Sequence, residues 1–180
     1  MNLEREALSA EVVRGVLSGL RVAVGFDVHP FSTDPHRPLL ICGQLFDGPG
    51  LDGHSDGDVG AHAISDALLG GCGVGGIGDV FLDTDPRNKG ADSVGLLREV
   101  VEITLQRGFE ILNVDLTIIS EIPKIAPARA EMAQRLSRIL GAPVVVKAKR
   151  PEGLGDLGRQ KGAAAIASAL LYSSNPTKEL

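Results

Sequence analysis

Three residues in the first half of the chain have the side-chain types and the spacing of a metal site. Asp27 and His29 are two positions apart in the segment RVAVGFDVH, whose β-branched residues are typical of a strand. Side chains two positions apart on a strand point to the same face. His62 lies in the next predicted helix, and one carboxylate with two imidazoles can hold Zn²⁺ or a similar ion while one position stays open. The same pattern also arises by chance, so spacing alone leaves a structural role open.

Residues close to His62 could orient it or bind an anion. Asp66 follows His62 by one helical turn, a spacing that would let its carboxylate orient the imidazole. Ser55 and Asp58 have the spacing of a capping box, which predicts a helix that begins at Ser55. His54 precedes this cap, so an imidazole and a hydroxyl stand where a helix N-terminus could hold a phosphate. A simple helix cap explains the segment equally well.

Glycine is unusually frequent, with 23 residues in 180. Six of them lie from Gly70 to Gly78 and four from Gly153 to Gly162, where backbone amides could approach a phosphate closely. Both clusters contain the pattern GxGxxG. The first follows a helix and the second lacks the later strand of a βαβ unit, so neither predicts a dinucleotide site.

A group of basic residues surrounds the second glycine cluster: Lys147, Lys149, Arg150, Arg159 and Lys161, with Lys124 at another strand end. In an acidic chain such a local cationic group suggests a bound diphosphate, although charged side chains more often simply face solvent. Glu152 lies within the group and could hold a second divalent ion against phosphates.

Composition excludes several functional classes. The chain has 18 basic and 23 acidic residues and 3% aromatic residues, which disfavours a nucleic-acid binder. No apolar run approaches the ~20 residues that cross a bilayer, so we expect no membrane partner. The acidic start MNLEREALSAE has no signal-peptide pattern, and we expect a cytoplasmic protein. Cys42 and Cys72 are expected to be reduced, packed thiols.

The order of predicted elements indicates an α+β fold, in which helices pack on one side of a mixed sheet in two layers. Apolar periodicity predicts helices over 3–20, 55–69, 93–107, 127–140 and 159–172, and strands over 21–29, 39–46, 112–120 and 142–149. The second strand could be a hairpin partner of the first. We expect a helical extension over 1–20, a domain over 21–172 and a flexible tail over 173–180.

Seven segments, taken in order, resemble one enzyme family: FDVHPF, HSDGDVGAHAISDALLG, FLDTDPRNKGADS, NVDLTIIS, PKIAP, VVVKA and EGLGDLGR. The chain is similar over about residues 21–172 to the 2-C-methyl-D-erythritol 2,4-cyclodiphosphate synthases of the non-mevalonate isoprenoid pathway. The resemblance implies a homotrimer with active sites at subunit interfaces. It also implies conversion of 4-CDP-2-C-methyl-D-erythritol 2-phosphate into the cyclic diphosphate and CMP.

The same resemblance implies roles for individual residues. Asp27, His29 and His62 would hold Zn²⁺ or Mn²⁺, and Glu152 would help to bind Mg²⁺ or Mn²⁺ on the diphosphate. His54 would stabilise transition-state charge. The implied substrate-binding residues are Ser55, Asp66, Gly76, Gly78, Phe81, Asp83, Asp85, Ser120, Pro123, Lys124, Ile125, Lys149, Asp156 and Arg159, of which Phe81 to Asp85 would line the methylerythritol end and Ser120 to Ala126 the cytidine.

The departures from the family are concentrated at this implied site. Gly76 stands where the family has an aspartate, and Arg150 stands where it has a threonine hydroxyl that assists catalysis, which makes Arg150 a candidate catalytic residue. Asp156 replaces a phenylalanine and Lys161 an acidic residue. Loss of an acceptor that pairs a buried hydroxyl costs ~1–3 kcal/mol, whereas Lys149 and Arg150 add positive charge near a phosphate. We therefore predict retained metal and phosphate chemistry with altered alcohol or nucleotide recognition.

Three functions are compatible with this pattern. The first is the usual cyclodiphosphate synthase, and the second is a paralogue that cyclises or cleaves a different nucleotide-activated polyol phosphate. The third is a catalytically silent, zinc-binding trimeric homologue. The intact metal ligands and His54 favour the first two, whereas Gly76 and the pair Lys149 and Arg150 favour the last two.

The N-terminal helix also has two interpretations. It could pack on the outer face of the implied trimer through Leu8, Val12 and Val16, since amphipathic helices usually cover their own protein's core. Alternatively, it could recruit a partner, for instance the cytidylyltransferase of the preceding step.

Overall fold

The computed structural model describes residues 10–174, in which helices and strands are interspersed along the chain. In chain order the elements are α1 (Ala10–Gly19), β1 (Leu20–Pro30), β2 (Leu39–Ile41), β3 (Gln44–Phe46), α2 (Val59–Gly71), α3 (Ile77–Val80), α4 (Ser93–Gln106), β4 (Glu110–Ile119), α5 (Arg129–Leu140), β5 (Val144–Lys149), α6 (Gly155–Gly158) and β6 (Gly162–Tyr172). Among residues 10–174, no helix has the length and apolar character needed to cross a bilayer.

Several predicted elements are present with small shifts at their ends. The confirmed predictions are the helices 93–107 (α4) and 127–140 (α5) and the strands 21–29 (β1), 112–120 (β4) and 142–149 (β5). Gly141 follows α5 with a φ of 67°, as expected for a glycine that ends a helix. The helix predicted over 3–20 is observed as α1, while residues 3–9 and the predicted tail from 175 onward lie outside the described residues. The domain boundaries at residues 20 and 172 stay predictions.

The main sheet has four strands in the order β1-β6-β4-β5. β6 is antiparallel to β1 and to β4, and β5 is parallel to β4, so the sheet is mixed as expected. The first strand of the chain thus pairs along its length with the last, from Leu20 opposite Tyr172 to Pro30 opposite Gly162. The helices α2 and α5 pack on the sheet and enclose the apolar core.

The prediction of a final helix over 159–172 is wrong, because this segment is the central strand β6. Its sequence GAAAIASALLY is rich in alanine, which has the highest intrinsic helix propensity. Tertiary context overrides that preference, since β6 pairs on both edges and alternate alanines face α2. The residues Ala163, Ala165, Ala167 and Ala169 are at most 1% exposed, so the short side chains let the helix approach the sheet.

The prediction that segment 39–46 pairs with β1 in a hairpin is wrong. This segment forms its own two-stranded hairpin, in which β2 pairs with β3 and Leu39 lies opposite Phe46. The turn uses Cys42 and Gly43, both with positive φ. The true partner of β1 comes from the other end of the chain, a long-range pairing that local patterns do not report.

The observed N-cap of α2 lies three residues after the predicted cap at Ser55, so the capping-box prediction is wrong. Asp58 is the N-cap, and its carboxylate accepts hydrogen bonds from the amides of Gly60 and Ala61 at 3.0 Å. It also accepts from the amides of Cys42 at 2.7 Å and Gly43 at 2.6 Å. Burial raises the pKa of Asp58, and these bonds partly offset the effect. One buried carboxylate therefore fixes both the helix start and the β2–β3 turn.

Close contact between α2 and β1 requires a glycine at position 25. A side chain on Gly25 would overlap the carbonyl oxygen of Ala63 and lie 2.5 Å from the amide nitrogen of Ala67. The residues of β1 alternate, so Asp27 and His29 share the helix-facing side with Gly25. The chain thus brings the chemistry-bearing face of β1 directly against α2.

The opposite face of the sheet is apolar and exposed. In β1 the outward side chains are Val22, Val24, Phe26 and Val28, with exposures from 76% to 48%. Ile166 of β6, which lies opposite Phe26, extends this patch. Contiguous exposed apolar surface of this kind is typical of an interaction site. We refer to these five residues as the apolar sheet face.

Helix α1 does not bury its apolar side chains against the described part of the chain. Val12 and Val16, which were expected to pack on the fold, are about half exposed, and Leu17 is more exposed still. Leu8 lies outside the described residues. The packing role expected for this helix is therefore not realised within residues 10–174.

We predict that Asp58→Ala will destabilise the fold by about 3 kcal/mol, because it leaves four amides without their acceptor. Asp92→Ala is the matched control. Asp92 caps α4 through a single bond to Val94, so its loss is expected to cost about 1 kcal/mol. Urea denaturation of both variants measures the difference, and equal losses would contradict the dual role of Asp58.

Candidate active site

Asp27, His29 and His62 converge as the sequence predicts, and we call them the metal centre. His62 Nδ1 lies 2.9 Å and His29 Nε2 lies 3.2 Å from the same Asp27 oxygen. The two imidazole nitrogens are 3.4 Å apart. Among residues 10–174 this is the only group of three or more potential metal-binding side chains that meets at such distances. Strand β1 supplies two ligands and α2 the third.

The hydrogen bonds behind the two rings decide which nitrogens face inward. His29 Nδ1 is 2.6 Å from the carbonyl oxygen of Asp52, so it donates its proton there and Nε2 keeps a lone pair. The loop fits closely, because a side chain on Gly53 would lie 2.7 Å from the His29 ring. On the far side of His62, Nε2 lies 2.9 Å from the hydroxyl of Ser55 and 2.8 Å from that of Ser93. Three atoms with free lone pairs then face one another. Together they are the kind of ligand atoms that bind a divalent cation such as Zn²⁺.

The charges at the metal centre also favour a bound cation. Burial raises the pKa of Asp27, but hydrogen bonds with His29 and His62 outweigh it and bring the pKa down to about 2. The hydrogen bond with Asp27 raises the pKa of His29, against the effect of burial. Asp27 is therefore ionised at neutral pH, and the site favours positive charge at its centre. A metal ion or a proton can meet that demand.

A cavity of about 230 Å³ opens beside the metal centre, and its lining includes His54, Gly78, Phe81 and Asp83. His54 Nε2 is buried and has no hydrogen-bond partner among residues 10–174. A buried polar atom of this kind normally has a partner, so His54 is free to bond a ligand in the cavity. The structure thus places the predicted residues of the phosphate and methylerythritol regions together.

Asp66 does not orient His62, and that prediction is wrong. Its carboxylate accepts a hydrogen bond at 3.0 Å from the amide of Ile77, the first residue of α3. A side chain on Gly76 would lie 2.9 Å from the same Asp66 oxygen. Asp66 therefore lies beside position 76, and its flexible carboxylate would only have to shift slightly to admit a side chain there. The carboxylate of Asp79 caps the short helix by accepting from the Gly76 amide at 2.7 Å.

Asp85 lies in a neighbouring cavity of about 560 Å³ that also includes Phe81. The Asp85 carboxylate accepts hydrogen bonds from the guanidinium and from the backbone amide of Arg87. These bonds lower the pKa of Asp85 to about 2. The predicted segment Phe81 to Asp85 is thus divided between two adjoining cavities.

A separate cavity of about 570 Å³ lies at the ends of β4 and β5 and contains the residues predicted for cytidine binding: Ser120, Pro123, Lys124, Ile125 and Lys149. Arg150 also lines it. Glu121 belongs to the segment predicted to line the cytidine but had no role of its own; it accepts hydrogen bonds from Arg150 Nε at 2.8 Å and Nη2 at 2.6 Å. Its second oxygen accepts from the Gly153 amide at 3.1 Å. Glu121 therefore holds the guanidinium and the following glycine turn in place.

The remaining basic residues do not form one cluster. Lys147 pairs with Asp115 on the outward face of the sheet, and Arg159 pairs with Asp156 at 2.8 Å. Glu152 is exposed with a φ of 52° and does not belong to the metal centre. The expected cationic group is thus reduced to Lys124, Lys149 and Arg150, which line the same cavity.

The chain matches the YgbB family over residues 20–172. It is 48% identical to the bifunctional enzyme IspD/IspF of Anaeromyxobacter dehalogenans, over 93% of this chain and 42% of that protein. The 2-C-methyl-D-erythritol 2,4-cyclodiphosphate synthase of Burkholderia thailandensis is 50% identical over 84% of this chain and 94% of its own length. The chain thus spans about two fifths of the bifunctional relative and nearly all of the single-function one.

Solved structures show the same similarity. The bifunctional IspDF of Campylobacter jejuni superposes with a TM-score of 0.80 at 37% identity, over 86% of this chain and 42% of that one. The CDP complex of IspF from Plasmodium falciparum gives a TM-score of 0.75 at 31% identity, over 87% of this chain and 97% of that one.

Asp27→Asn is expected to weaken Zn²⁺ binding by at least about 100-fold, since it removes the ionised oxygen that both imidazoles face. Titration of the metal-free protein against a competing chelator measures this loss. His36→Ala, which removes an exposed loop imidazole, should bind Zn²⁺ as the parent does. Equal affinity of the Asp27→Asn protein and the parent would contradict the assignment of the metal centre.

Proposed function

Because the chain belongs to the YgbB family, we propose that it converts 4-CDP-2-C-methyl-D-erythritol 2-phosphate into 2-C-methyl-D-erythritol 2,4-cyclodiphosphate and CMP. This is a phosphorus–oxygen lyase reaction of isoprenoid precursor synthesis. The observation that carries the proposal is the metal centre beside an open cavity in which a buried His54 nitrogen lacks a partner. Relatives named 2-C-methyl-D-erythritol 2,4-cyclodiphosphate synthase are 45–50% identical to this chain, which supports the substrate class.

The metal centre would hold Zn²⁺ or Mn²⁺, and Glu152 would contribute to a Mg²⁺ or Mn²⁺ ion on the diphosphate. A bound cation would position the diphosphate and neutralise its charge. An oxygen of the 2-phosphate forms a bond to the β-phosphorus, the bond from that phosphorus to the bridging oxygen breaks, and CMP leaves with that oxygen. His54 Nε2, which has no partner in residues 10–174, donates a hydrogen bond to charge that develops on the transferred phosphoryl group.

Substrate positioning is divided between the two cavities. Gly78, Phe81 and Asp83 bind the methylerythritol end next to the metal centre. The cavity lined by Ser120 to Ala126 binds the cytidine, with Lys149 and Arg150 facing the phosphates. Arg150 takes the place of a hydroxyl and presents a guanidinium in a fixed position, because Glu121 holds it through two bonds and balances its charge.

We also propose that the active unit is a homotrimer, as the family resemblance implies. Within one copy the metal-centre cavity and the cytidine cavity share no lining residue, so a neighbouring copy can complete each site. The apolar sheet face offers a surface on which such copies can meet. Nucleic acid and membrane partners are not part of the proposal, and the cytoplasmic location stays a prediction.

A different nucleotide-activated polyol phosphate is the second candidate substrate. Two observations favour it: Asp66 occupies the space next to Gly76, and Arg150 rather than a hydroxyl borders the nucleotide cavity. Both lie where the alcohol or nucleotide would be recognised. The third possibility is a zinc-binding homologue that has no catalytic activity.

Incubation of the zinc-loaded protein with the CDP-linked 2-phosphate is expected to release CMP and cyclic diphosphate in equal amounts, as followed by phosphorus NMR. His54→Gln should lower kcat by about 100-fold with Zn²⁺ still bound, because it removes transition-state stabilisation only. Turnover of another nucleotide-activated polyol alone would identify the paralogue. A zinc-loaded protein that turns over none of the panel would be the silent homologue.

Val24→Asp is expected to dissociate the trimer, because it places a charge at a 66% exposed position in the middle of the apolar sheet face. Light scattering after size-exclusion chromatography measures the mass. Leu105→Asp is the control, since Leu105 is 54% exposed at the end of α4 and lies outside that face. A trimer that survives Val24→Asp would contradict assembly through this surface.

A further inference from the structure

We propose that Ser93 and Asp56 are positioning residues that fix the tautomer of His62 and thereby direct its Nδ1 lone pair at a bound metal ion. This inference rests on the proposed function only in taking a divalent cation as the ligand of the metal centre. It concerns residues to which neither the sequence pattern nor the resemblance assigned a role.

Ser93 is the first residue of α4 and is fully buried. Its hydroxyl oxygen lies 2.8 Å from His62 Nε2 and is also hydrogen bonded to Asp56 Oδ1. The other Asp56 oxygen accepts from the Ser93 amide at 3.1 Å. The carboxylate, the hydroxyl and the imidazole therefore form a continuous chain that ends at the metal centre.

The number of protons in this chain determines their direction. An ionised carboxylate only accepts hydrogen bonds, so the single hydroxyl proton of Ser93 points to Asp56. The oxygen of Ser93 then presents lone pairs to His62, and a contact of 2.8 Å is favourable only if Nε2 carries a proton. A neutral imidazole has one N–H, so Nδ1 is left unprotonated. This nitrogen lies 2.9 Å from Asp27, at the position where the cation would be held.

Ser55 cannot fix the tautomer of His62 in the same way, although its hydroxyl also lies 2.9 Å from His62 Nε2. Its oxygen accepts from the Gly57 amide, and its own proton has no carboxylate acceptor in the described part of the chain. The Ser55 hydroxyl can therefore either donate to Nε2 or accept from it. Only the Asp56–Ser93 pair excludes the wrong tautomer.

The two imidazoles of the metal centre differ in this respect. His29 donates from Nδ1 to a backbone carbonyl, that of Asp52, and a carbonyl can only accept. The tautomer of His29 is thus set by the main chain. The tautomer of His62 is set by side chains from α4 and from the loop before α2, so it can be changed by substitution. Removal of such partners typically lowers metal affinity by 10- to 100-fold.

Ser93→Ala tests the proposal through Zn²⁺ affinity, measured on the metal-free full chain by competition with a chelator. We expect a loss of at least about tenfold. Nitrogen-15 NMR of the metal-free protein reports the tautomer directly, and we expect the Nε2–H form of His62 in the parent and a mixture of both neutral tautomers in the variant. Ser65→Ala is the matched control, because Ser65 is equally buried but bonds the carbonyl of Ala61 in its own helix.

Asp56→Asn provides a second variant if Ser93→Ala does not fold. The amide of the new side chain can donate to the Ser93 oxygen, which frees the hydroxyl proton to point at Nε2, so a similar loss of affinity is expected. Parental zinc affinity and a retained Nε2–H signal in the folded variant would overturn the proposal. The proposed function can fail separately. If the parent turns over no substrate but Zn²⁺ affinity still falls in Ser93→Ala and not in Ser65→Ala, the proposed substrate is wrong and the positioning role stands.

Discussion

The close approach of α2 to the β1–β6 pair is the constraint on which the rest of the structure depends. It requires Gly25 in β1 and short alanine side chains along β6, because any larger group would hold the helix away from the sheet. The same approach brings His62 to within 2.9 Å of Asp27. Packing and chemistry therefore share one requirement, and the buried carboxylate of Asp58 reinforces it by fixing the helix start to the β2–β3 turn.

Behind this contact, hydrogen bonds determine what the metal centre can bind. A main-chain carbonyl fixes one imidazole and the Asp56–Ser93 pair fixes the other, so both present lone pairs to an ionised Asp27. Such preorganisation lowers the cost of ordering the ligands when a cation binds. The adjoining His54 remains unpaired among residues 10–174, which suits a group that contacts charge only during the reaction.

The departures from the family also acquire a physical meaning. The Asp66 carboxylate lies beside Gly76 and bonds the first amide of α3, so an acidic group remains next to the position where the family has an aspartate. Arg150 is held by Glu121, whose side chain is only 5% exposed, and the guanidinium therefore borders the cytidine cavity in a defined direction. These substitutions leave the metal centre intact and alter the surroundings of the substrate. They are consistent with phosphate chemistry that is kept and recognition that is adjusted.

The sequence by itself determined the mixed α+β character, most element positions and the three residues of the proposed metal centre, because these follow from local periodicity and from a distinctive order of motifs. It misassigned β6, since alanine favours helices locally, and it gave β1 the wrong partner, since strand pairing across the whole chain leaves no local signal. Only the tertiary structure revealed Ser93, Asp56 and Glu121 at the site. Their roles depend on the direction of single hydrogen bonds between distant segments, and such directions are set when α4 and the loops pack against the sheet.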